Sequence, residues 1–310
     1  MGYLRVSLLK VCNFNCIYCR PPSFKGYRQR DFTSSEKFES AIELLCRMGI
    51  RKVRFTGGEP TLYKDLPHLV SFTKKLNGNI HTALTTNGRL LKRMAPRLAE
   101  AGLDSVNISL DTVNAAKFKF ITGVDCFEKV VAGIKAAIEY IPDVKLNCVV
   151  IRDVNDEEPK ELVDFANQLG IDIRFIEYMP TRHNGSANRG YVAGTVTMGR
   201  IGYEFYPVAT EKESPARYYK SKALSNRVGF VNSVSQPFCT HCNRIRLAAD
   251  GHLYTCLFSA RAINIFELQN KSFDSEAEQI DNFVAGKQYV GCSSPPAQNQ
   301  FLPAFYEIGG

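Results

Sequence analysis

The sequence lacks the features that mark membrane-spanning, fibrous or disordered proteins. No stretch reaches the roughly 20 apolar residues needed to cross a bilayer, no low-complexity tract occurs, and no internal repeat is visible beyond an alternation of strand and helix patterns. The 310 residues are 45% apolar and 23% charged, which is ordinary for a globular protein with a large core. We therefore expect one large domain with an appendage.

The chain also lacks any block of charge of one sign. The formal net charge is +8, yet the Lys and Arg residues are scattered, so a nucleic-acid partner is not required and a small polyanionic substrate fits equally well. The opening residues MGYLRVSLLK are too short and too polar for a secretory signal. We expect a cytoplasmic protein with neither a membrane nor nucleic acid as partner.

Cysteine, by contrast, is abundant. Ten cysteines in a long chain, arranged as two tight groups and four singles, indicate metal binding in a reducing compartment rather than disulfides. The groups are Cys12, Cys16 and Cys19, and Cys239, Cys242 and Cys256; the singles are Cys46, Cys126, Cys148 and Cys292.

Apolar, β-branched runs alternate with helical patterns through the first 180 residues. The predicted strands cover 4–9, 52–56, 81–86, 105–110, 145–151 and 171–178, and the predicted helices 33–48, 65–77, 90–101, 126–140 and 158–169. Thr33 and Glu36 form a capping-box pattern at the start of the first helix, and Gly49 predicts its end.

Repeated units of strand and helix predict an α/β fold with a parallel sheet. Six units suit either a doubly wound open sheet or a partial barrel of the TIM type, and both place ligands at the carboxyl ends of the strands. From residue 181 the pattern becomes irregular, with strand-like pieces at 217–219 and 228–231. We therefore divide the chain into residues 1–180 and a C-terminal region, residues 181–310.

The first cysteine group follows directly on the first predicted strand. Three thiolates on one short loop can hold a four-iron cluster while leaving one iron open to a substrate or cosubstrate, much as a catalytic zinc keeps one position free. The alternatives are a zinc site or three unrelated thiols.

The run CNFNCIYC at this loop resembles the motif of the radical S-adenosylmethionine superfamily, including the aromatic Tyr18. Three further segments agree: TGGEP (56–60), ISLD (108–111) and RFIEYM (174–179). The resemblance implies an incomplete (β/α)6 TIM-type barrel, a [4Fe-4S] cluster on the three cysteines, and S-adenosylmethionine as cofactor. It assigns the S-adenosylmethionine contacts to Tyr18, Gly58, Ser109 and Met179.

The second group has the spacing Cys239-x2-Cys242-x13-Cys256. By itself it suits a structural zinc, with His241 or His252 as fourth ligand, as well as an iron–sulfur cluster. Arg244 and Arg246 follow closely and could bind phosphates beside a cluster through forked hydrogen bonds. The alternative for this Arg pair is a solvated strand face.

With CNRIRL, DGHLYTCLF and the closing IGG, nearly the whole chain resembles the GTP 3′,8-cyclase family of molybdenum cofactor biosynthesis. The resemblance implies a second [4Fe-4S] cluster in the C-terminal extension and a catalytic tail ending in Gly309 and Gly310. It implies that a radical from S-adenosylmethionine removes the 3′ hydrogen of GTP, and that the resulting carbon radical adds to C8 of the guanine. The GTP contacts would be Arg5, Arg54, Thr85, Lys145, Arg244, Ile245 and Arg246.

The same resemblance implies an electron donor such as flavodoxin or ferredoxin and a hand-off of product to cyclic pyranopterin monophosphate synthase, and it allows a homodimer. The chain departs from the family in two places. Asn15 stands where many relatives have Arg, and the tail before IGG is shorter and less basic than usual.

Two other classes of function remain open at this point. A radical S-adenosylmethionine enzyme that modifies a peptide also carries auxiliary clusters, but it would leave CNRIR and IGG unexplained. An iron–sulfur electron carrier or a zinc-stabilised binding protein would use both cysteine groups structurally, and would leave the glycine-rich loop beside the open-iron motif unexplained.

Overall fold

The computed structural model describes residues 2–19, 33–77, 79–179, 190–210, 214–259, 261–268 and 272–287. The predicted tail residues Gly309 and Gly310 lie outside these ranges. The described chain has the α/β architecture that the sequence predicts, with a largely parallel sheet and helices between the strands.

Twelve strands in the described ranges form one sheet, in the order β12-β11-β10-β1-β2-β3-β4-β5-β6-β9-β8-β7. Their bounds are β1 Tyr3–Ser7, β2 Lys52–Thr56, β3 His81–Thr86, β4 Ser105–Ser109, β5 Asp143–Val150, β6 Asp172–Glu177, β7 Tyr206–Pro207, β8 Arg217–Lys220, β9 Val228–Val231, β10 Arg244–Leu247, β11 His252–Tyr254 and β12 Ala262–Asn264. The six strands predicted in the first 180 residues are confirmed to within about two residues at each end, and both later pieces are strands.

The C-terminal region contributes to both edges of this sheet. Strand β10 pairs in parallel with β1, and β9 pairs in parallel with β6. The parallel part therefore has eight strands, and antiparallel strands lie outside them. The order has two ends, β12 and β7, which agrees with an incomplete barrel, while the division at residue 180 remains a prediction.

Helices follow most of the parallel strands, and their bounds are α1 Ser35–Arg47, α2 Leu66–Lys75, α3 Leu91–Glu100, α4 Ala115–Thr122, α5 Phe127–Tyr140, α6 Pro159–Gln168, α7 Gly194–Ile201 and α8 Phe273–Ala285. Short 3-10 helices cover Pro60–Leu62, Cys239–His241 and Ile265–Glu267. The five predicted helices are confirmed. Helix α4 was not predicted; it begins at Asn114, whose side chain accepts from the Lys117 N–H, and ends at the left-handed Gly123.

The predicted capping box at α1 is wrong. Ser34 occupies the cap position and makes no capping hydrogen bond with its side chain. The Thr33 hydroxyl instead donates to the carbonyl of Ala249, so a tertiary partner replaces the local one. The predicted end of the helix is confirmed, since Gly49 follows Met48 with a φ of 107°.

The parallel strands present two chemically different faces. Apolar side chains such as Leu4, Val6, Val53 and Phe55 are fully buried in the main core together with the helices. Burying each such side chain contributes roughly 1.5–3 kcal/mol. Because side chains alternate along a strand, the residues between them point to the opposite face, where the polar side chains of the same strands lie.

Two observations on the described residues bear on the surroundings of the protein. None of the helices is long and apolar enough to cross a membrane. The nine described cysteines are all free thiols, as the interpretation of the cysteine groups requires.

A glycine contact between α5 and the loop after β3 provides a test of the packing. A Cβ atom on Gly133 would lie 2.2 Å from the carbonyl oxygen of Gly88. We expect Gly133→Ala to destabilise the protein by about 1–3 kcal/mol, because backbone must move to admit the methyl group. Urea unfolding followed by circular dichroism measures the change.

The matched control is Gly199→Ala in α7, where the added Cβ meets nothing within 4 Å. Here we expect a gain of roughly 0.5–1 kcal/mol from reduced backbone freedom in the unfolded chain. Equal effects of the two substitutions would contradict the predicted contact.

Candidate active site

The polar faces of the parallel strands surround one cavity of about 790 Å³, a size typical of ligand sites. Side chains from β1 to β6, β9 and β10 all line it, so the sheet curves around this space. The cavity extends from Met179, just beyond β6, to the second cysteine group.

The lining is strongly basic. It includes nine cations and, among the described lining residues, a single carboxylate, that of Asp143. Two of the cations are paired, Lys145 with Asp143 and Arg227 with Asp172. The cavity thus offers an excess of positive charge that suits a polyanion. The cations are Arg5, Lys52, Arg54, Lys145, Arg174, Arg227, Arg244, Arg246 and Lys287.

Strand register places several of these cations side by side. Arg5 lies opposite Arg54 on β2 and opposite Arg246 on β10. Burial and then the neighbouring cations lower the pKa of Arg5 well below its usual range, and burial followed by repulsion from Arg244 lowers the pKa of Arg246 to about 10. With a pKa of about 10, Arg246 is protonated near neutrality, and an anionic ligand would relieve the repulsion among these cations.

Arg54 is buried and held from two sides. Its Nε donates to the Tyr3 hydroxyl at 2.6 Å, and its Nη1 donates to the Leu84 carbonyl at 2.7 Å and to Thr85 Oγ1 at 3.3 Å. The structure therefore brings together two residues predicted from the sequence, Arg54 and Thr85, and adds Tyr3 between the cations.

Arg174 on β6 was not predicted as a site residue. Its Nε donates to Asn147 Oδ1 at 2.9 Å, while its buried Nη2 has no hydrogen-bond partner among the described residues. A buried guanidinium nitrogen of this kind is left for a ligand. In the segment IDIRFIE (171–177), Arg174 alternates with the apolar Ile173 and Phe175, so its side chain points to the other face of the strand. This alternation is the sequence signal that could have identified Arg174 as a site residue.

Of the seven predicted GTP contacts, six line the cavity and one does not. Ile245 is fully buried on the opposite face of β10, between the lining residues Arg244 and Arg246. Because the Ile245 side chain points away from the cavity, a contact between Ile245 and GTP would have to come from its backbone.

The first cysteine group lies on the loop after β1, and the loop is anchored on α4. The N–H groups of Asn15 and Ile17 donate to the carbonyls of Thr122 and Ile121, at 2.8 and 3.0 Å. The buried Phe14 ring packs edge-on against Phe118, with ring centroids 5.8 Å apart. The helix that the sequence did not predict is thus the support of this loop.

Gly57 and Gly58 of the TGGEP segment permit a close approach of backbone to backbone. The Gly58 N–H donates to the Leu9 carbonyl at 2.7 Å, and the Glu59 N–H to that of Val11 at 2.8 Å. Cβ atoms on the two glycines would lie 2.6 Å and 2.1 Å from carbonyl oxygens of the chain leading to Cys12. Any side chain at Gly57 or Gly58 would displace the first cysteine loop.

The predicted S-adenosylmethionine contacts lie at the carboxyl ends of four strands. Tyr18 donates to Asp111 Oδ2 at 2.8 Å, which ties the cysteine loop to the end of β4 beside Ser109. Gly58 follows β2, and Met179 follows β6, where it packs against Ala248 and Leu257. Of these four predicted contacts, Met179 lines the main cavity.

In each cysteine group, one thiol has a pKa that is raised by burial and by the other two cysteines. Burial raises the pKa of Cys16, and the charges of Cys19, Asp111 and Cys12 raise it further. Burial likewise raises the pKa of Cys239, and the charges of Cys256 and Cys242 raise it further. Such thiolates need bound positive charge, which an iron–sulfur cluster provides.

The two histidines considered as a fourth ligand beside the second cysteine group are both contacted at Nδ1. Nδ1 of His252 lies 3.0 Å from Asp250 Oδ1, and Nδ1 of His241 lies 3.0 Å from the Thr240 hydroxyl. Among the described residues, no group of three or more His, Cys, Asp and Glu is arranged to share one metal ion.

Comparison with known proteins agrees with this geometry. A model described as the radical SAM superfamily matches residues 6–166, and one described as Molybdenum Cofactor Synthesis C matches residues 171–289. A curated GTP 3′,8-cyclase of Clostridium botulinum is 32% identical over 317 aligned positions, covering 100% of this chain and 98% of that protein. This chain belongs to the GTP 3′,8-cyclase family of radical SAM enzymes.

The cyclase family includes longer animal proteins. Molybdenum cofactor biosynthesis protein 1 of Homo sapiens is 38% identical over 294 residues, covering 93% of this chain and 46% of the human protein. The molybdenum cofactor biosynthesis protein moc-5 of Caenorhabditis elegans is 35% identical over 268 residues, covering 85% of this chain and 45% of the moc-5 protein. The chain thus spans about half the length of these animal relatives.

Solved structures share the fold of this chain. SuiB of Streptococcus suis bound to the precursor peptide SuiA superposes with a TM-score of 0.68 at 18% identity, covering 92% of this chain and 66% of SuiB. At this identity the likeness shows the fold alone, and it does not favour a peptide substrate.

The electrostatics of the cavity predict an unusual tyrosine titration. Burial raises the pKa of Tyr3, but the cations Arg54, Arg5, Arg244 and Lys52 lower it to about 7 overall. Since the pKa lies below the ordinary value of 10, the phenolate should form from about pH 7 upward. Ultraviolet difference spectra of the cluster-free protein should show one tyrosine ionising near pH 7, and Tyr3→Phe should remove that transition. An unchanged transition in Tyr3→Phe would contradict the assignment.

Proposed function

We propose that this protein catalyses the 3′,8-cyclisation of GTP, using S-adenosylmethionine, in molybdenum cofactor biosynthesis. The observation that supports this most directly is the basic cavity, which extends from Met179 to the second cysteine group. A nucleoside triphosphate combines a polyanionic end with a base rich in ligand atoms, and so matches both ends of such a cavity.

When bound, the first cluster would pass one electron to S-adenosylmethionine, which would release methionine and supply a 5′-deoxyadenosyl radical able to take the 3′ hydrogen of the ribose. A bond between C3′ and C8 of the guanine would then form, and one further electron and one proton from a donor would complete the dihydroguanosine product. The residues of the chain bind and orient GTP, because distance and angle decide which hydrogen is removed.

The arginine and lysine side chains would bind the triphosphate. Arg5, Arg54 and Arg246 lie side by side on adjacent strands, and forked guanidinium groups bind phosphate oxygens in pairs. Arg174 would contribute its unpartnered Nη2. Lys145 completes the predicted set from β5.

The second cysteine group would hold a [4Fe-4S] cluster whose open iron binds the guanine. Cys239, Cys242 and Cys256 all line the cavity, and three thiolates leave one iron without a protein ligand. The Phe258 N–H donates to Cys256 Sγ at 3.4 Å, in the manner of hydrogen bonds that orient metal ligands.

The remaining assignments extend the same proposal. An electron donor such as flavodoxin or ferredoxin would reduce the first cluster, and the product would pass to cyclic pyranopterin monophosphate synthase. The free thiols suit a reducing, cytoplasmic setting. Gly309 and Gly310 would belong to a catalytic tail that reaches into the site.

The decisive experiment is a product assay. Protein reconstituted anaerobically with iron and sulfide should, with reductant, S-adenosylmethionine and GTP, release 5′-deoxyadenosine and a cyclised nucleotide detectable by mass spectrometry. Turnover of a peptide substrate without any nucleotide product would refute the proposal and favour the peptide-modifying alternative.

Cysteine variants separate the two clusters. We expect Cys256→Ser to lower the iron content from about eight to about four atoms per chain and to abolish cyclisation, while much of the S-adenosylmethionine cleavage remains. Cys16→Ser should abolish both reactions, because the first cluster generates the radical. Equal loss of cleavage in the two variants would contradict this division of roles.

Arg174 provides a test of phosphate binding. Hydrogen bonds to charged groups contribute about 1.5–3 kcal/mol, so Arg174→Met should weaken GTP binding roughly 10- to 100-fold in equilibrium titrations. The control is Arg217→Met, since Arg217 is exposed on β8 and bonds to Gln236 instead. Similar losses in both variants would show that net charge, rather than the cavity, controls affinity.

A further inference from the structure

Asn87 lies on the loop after β3. Its backbone N–H and both polar atoms of its side chain make hydrogen bonds. Its backbone N–H donates to Glu59 Oε2 at 2.8 Å, and its side-chain oxygen accepts from the Arg89 N–H at 3.1 Å. Its side-chain nitrogen donates to Asn13 Oδ1 at 2.7 Å and lies 3.8 Å from Cys12 Sγ. Because a backbone N–H occupies the oxygen, the amide can present only its NH₂ group to Cys12.

A buried carboxylate holds this loop in place. Glu59 is 1% exposed and accepts from the Thr61 N–H at 3.1 Å, from Thr86 Oγ1 at 2.5 Å and from the Asn87 N–H. These bonds join the loop after β2 to the loop after β3. Asn87 is itself 9% exposed, so the hydrogen bonds that direct it toward the cysteine loop are largely shielded from water.

Cys12 Sγ has two N–H donors within reach. The Phe14 N–H donates to it at 3.4 Å from within the cysteine loop, and the Asn87 amide approaches from the loop after β3 at 3.8 Å. A second link between the two loops runs from Arg89 Nη1 to the Asn13 carbonyl at 3.2 Å. The side chain of Asn87 is thus a donor at this thiolate that substitution can remove.

Hydrogen bonds to the sulfurs of an iron–sulfur cluster are among the factors that set its reduction potential. Reduction adds negative charge, and an N–H donor at a ligand sulfur stabilises that charge. Removing the donor should therefore disfavour the reduced cluster, the form that must donate an electron to S-adenosylmethionine.

We propose that Asn87 is a positioning residue of the first cluster, which orients the Cys12 thiolate and, through an N–H···S hydrogen bond, raises the reduction potential of that cluster. The inference rests on the first cluster that the superfamily implies. It does not depend on GTP as substrate, so its failure would leave the proposed cyclisation standing.

The test is a redox titration followed by electron paramagnetic resonance on the holoenzyme. Asn87→Leu removes the donor at similar size, and Asn87→Asp replaces the donor with a negative charge. Adding S-adenosylmethionine identifies the signal of the first cluster, because only its open iron binds that molecule. Iron content and thermal unfolding are measured on the same samples.

We expect the reduced-to-oxidised ratio of the first cluster at a fixed potential to fall at least threefold in Asn87→Leu and at least tenfold in Asn87→Asp. A tenfold change corresponds to 59 mV for a one-electron couple. The second cluster should not change. The matched control is Asn167→Asp in α6, where the side-chain oxygen accepts from Ser225 and an aspartate can do the same; its first-cluster ratio should equal that of the wild type.

Selective loss of the first cluster from both Asn87 variants, with the second cluster and the unfolding temperature retained, would support the positioning role. Two results would overturn the proposal. One is an intact first cluster with an unchanged ratio in Asn87→Leu. The other is general unfolding with loss of both clusters in the Asn87 variants, which would make Asn87 a determinant of the fold instead.

Discussion

The structure depends on a parallel sheet whose strands carry apolar side chains on one face and polar side chains on the other, with cations on β1, β2, β5, β6 and β10. The apolar face is buried against the helices and supplies the main core. The opposite face brings Arg5, Arg54 and Arg246 into one row, where burial and neighbouring cations lower the pKa of Arg5 and of Arg246. The core thus stabilises an arrangement of cations that would not form by itself, and the arrangement gains stability when a polyanion binds.

Two buried carboxylates hold the loops at the end of the sheet in place through hydrogen bonds. Glu59 joins the loops after β2 and β3 through hydrogen bonds to Thr61, Thr86 and Asn87. Glu177, at the end of β6, accepts from the N–H groups of Gly194, Val234 and Ser235. Both residues are almost wholly buried. They position loops at the carboxyl edge of the sheet without contacting the cavity themselves.

Helices and strands with a strong apolar periodicity could be predicted from the sequence alone. The six predicted strands and five predicted helices have strong apolar patterns, and the cysteine spacing identified both thiol groups. Helix α4 was missed because Phe118 and Phe120 alternate with Lys117 and Lys119, a pattern that does not resemble a helix with one apolar face; Phe120 is indeed 63% exposed.

Features that depend on distant partners were beyond sequence reasoning. Thr33 suits a helix cap locally, but the carbonyl of Ala249 attracts its hydroxyl. Arg174 resembles an isolated charge until the register sets it beside Asn147. The parallel pairing of β10 with β1 joins residues far apart in the chain, and no local pattern encodes it.

That last pairing has a consequence for biosynthesis. Strand β1 lies between β2 and β10, and Tyr3 pairs with Arg244. As the chain leaves the ribosome, one edge of β1 therefore remains without its partner until Arg244, about 240 residues beyond Tyr3, has been made. An open edge invites pairing with other chains, and contacts of such long range form slowly. The first cysteine loop emerges early beside this open edge, so the order of cluster loading and strand pairing sets how long the nascent enzyme is exposed to aggregation.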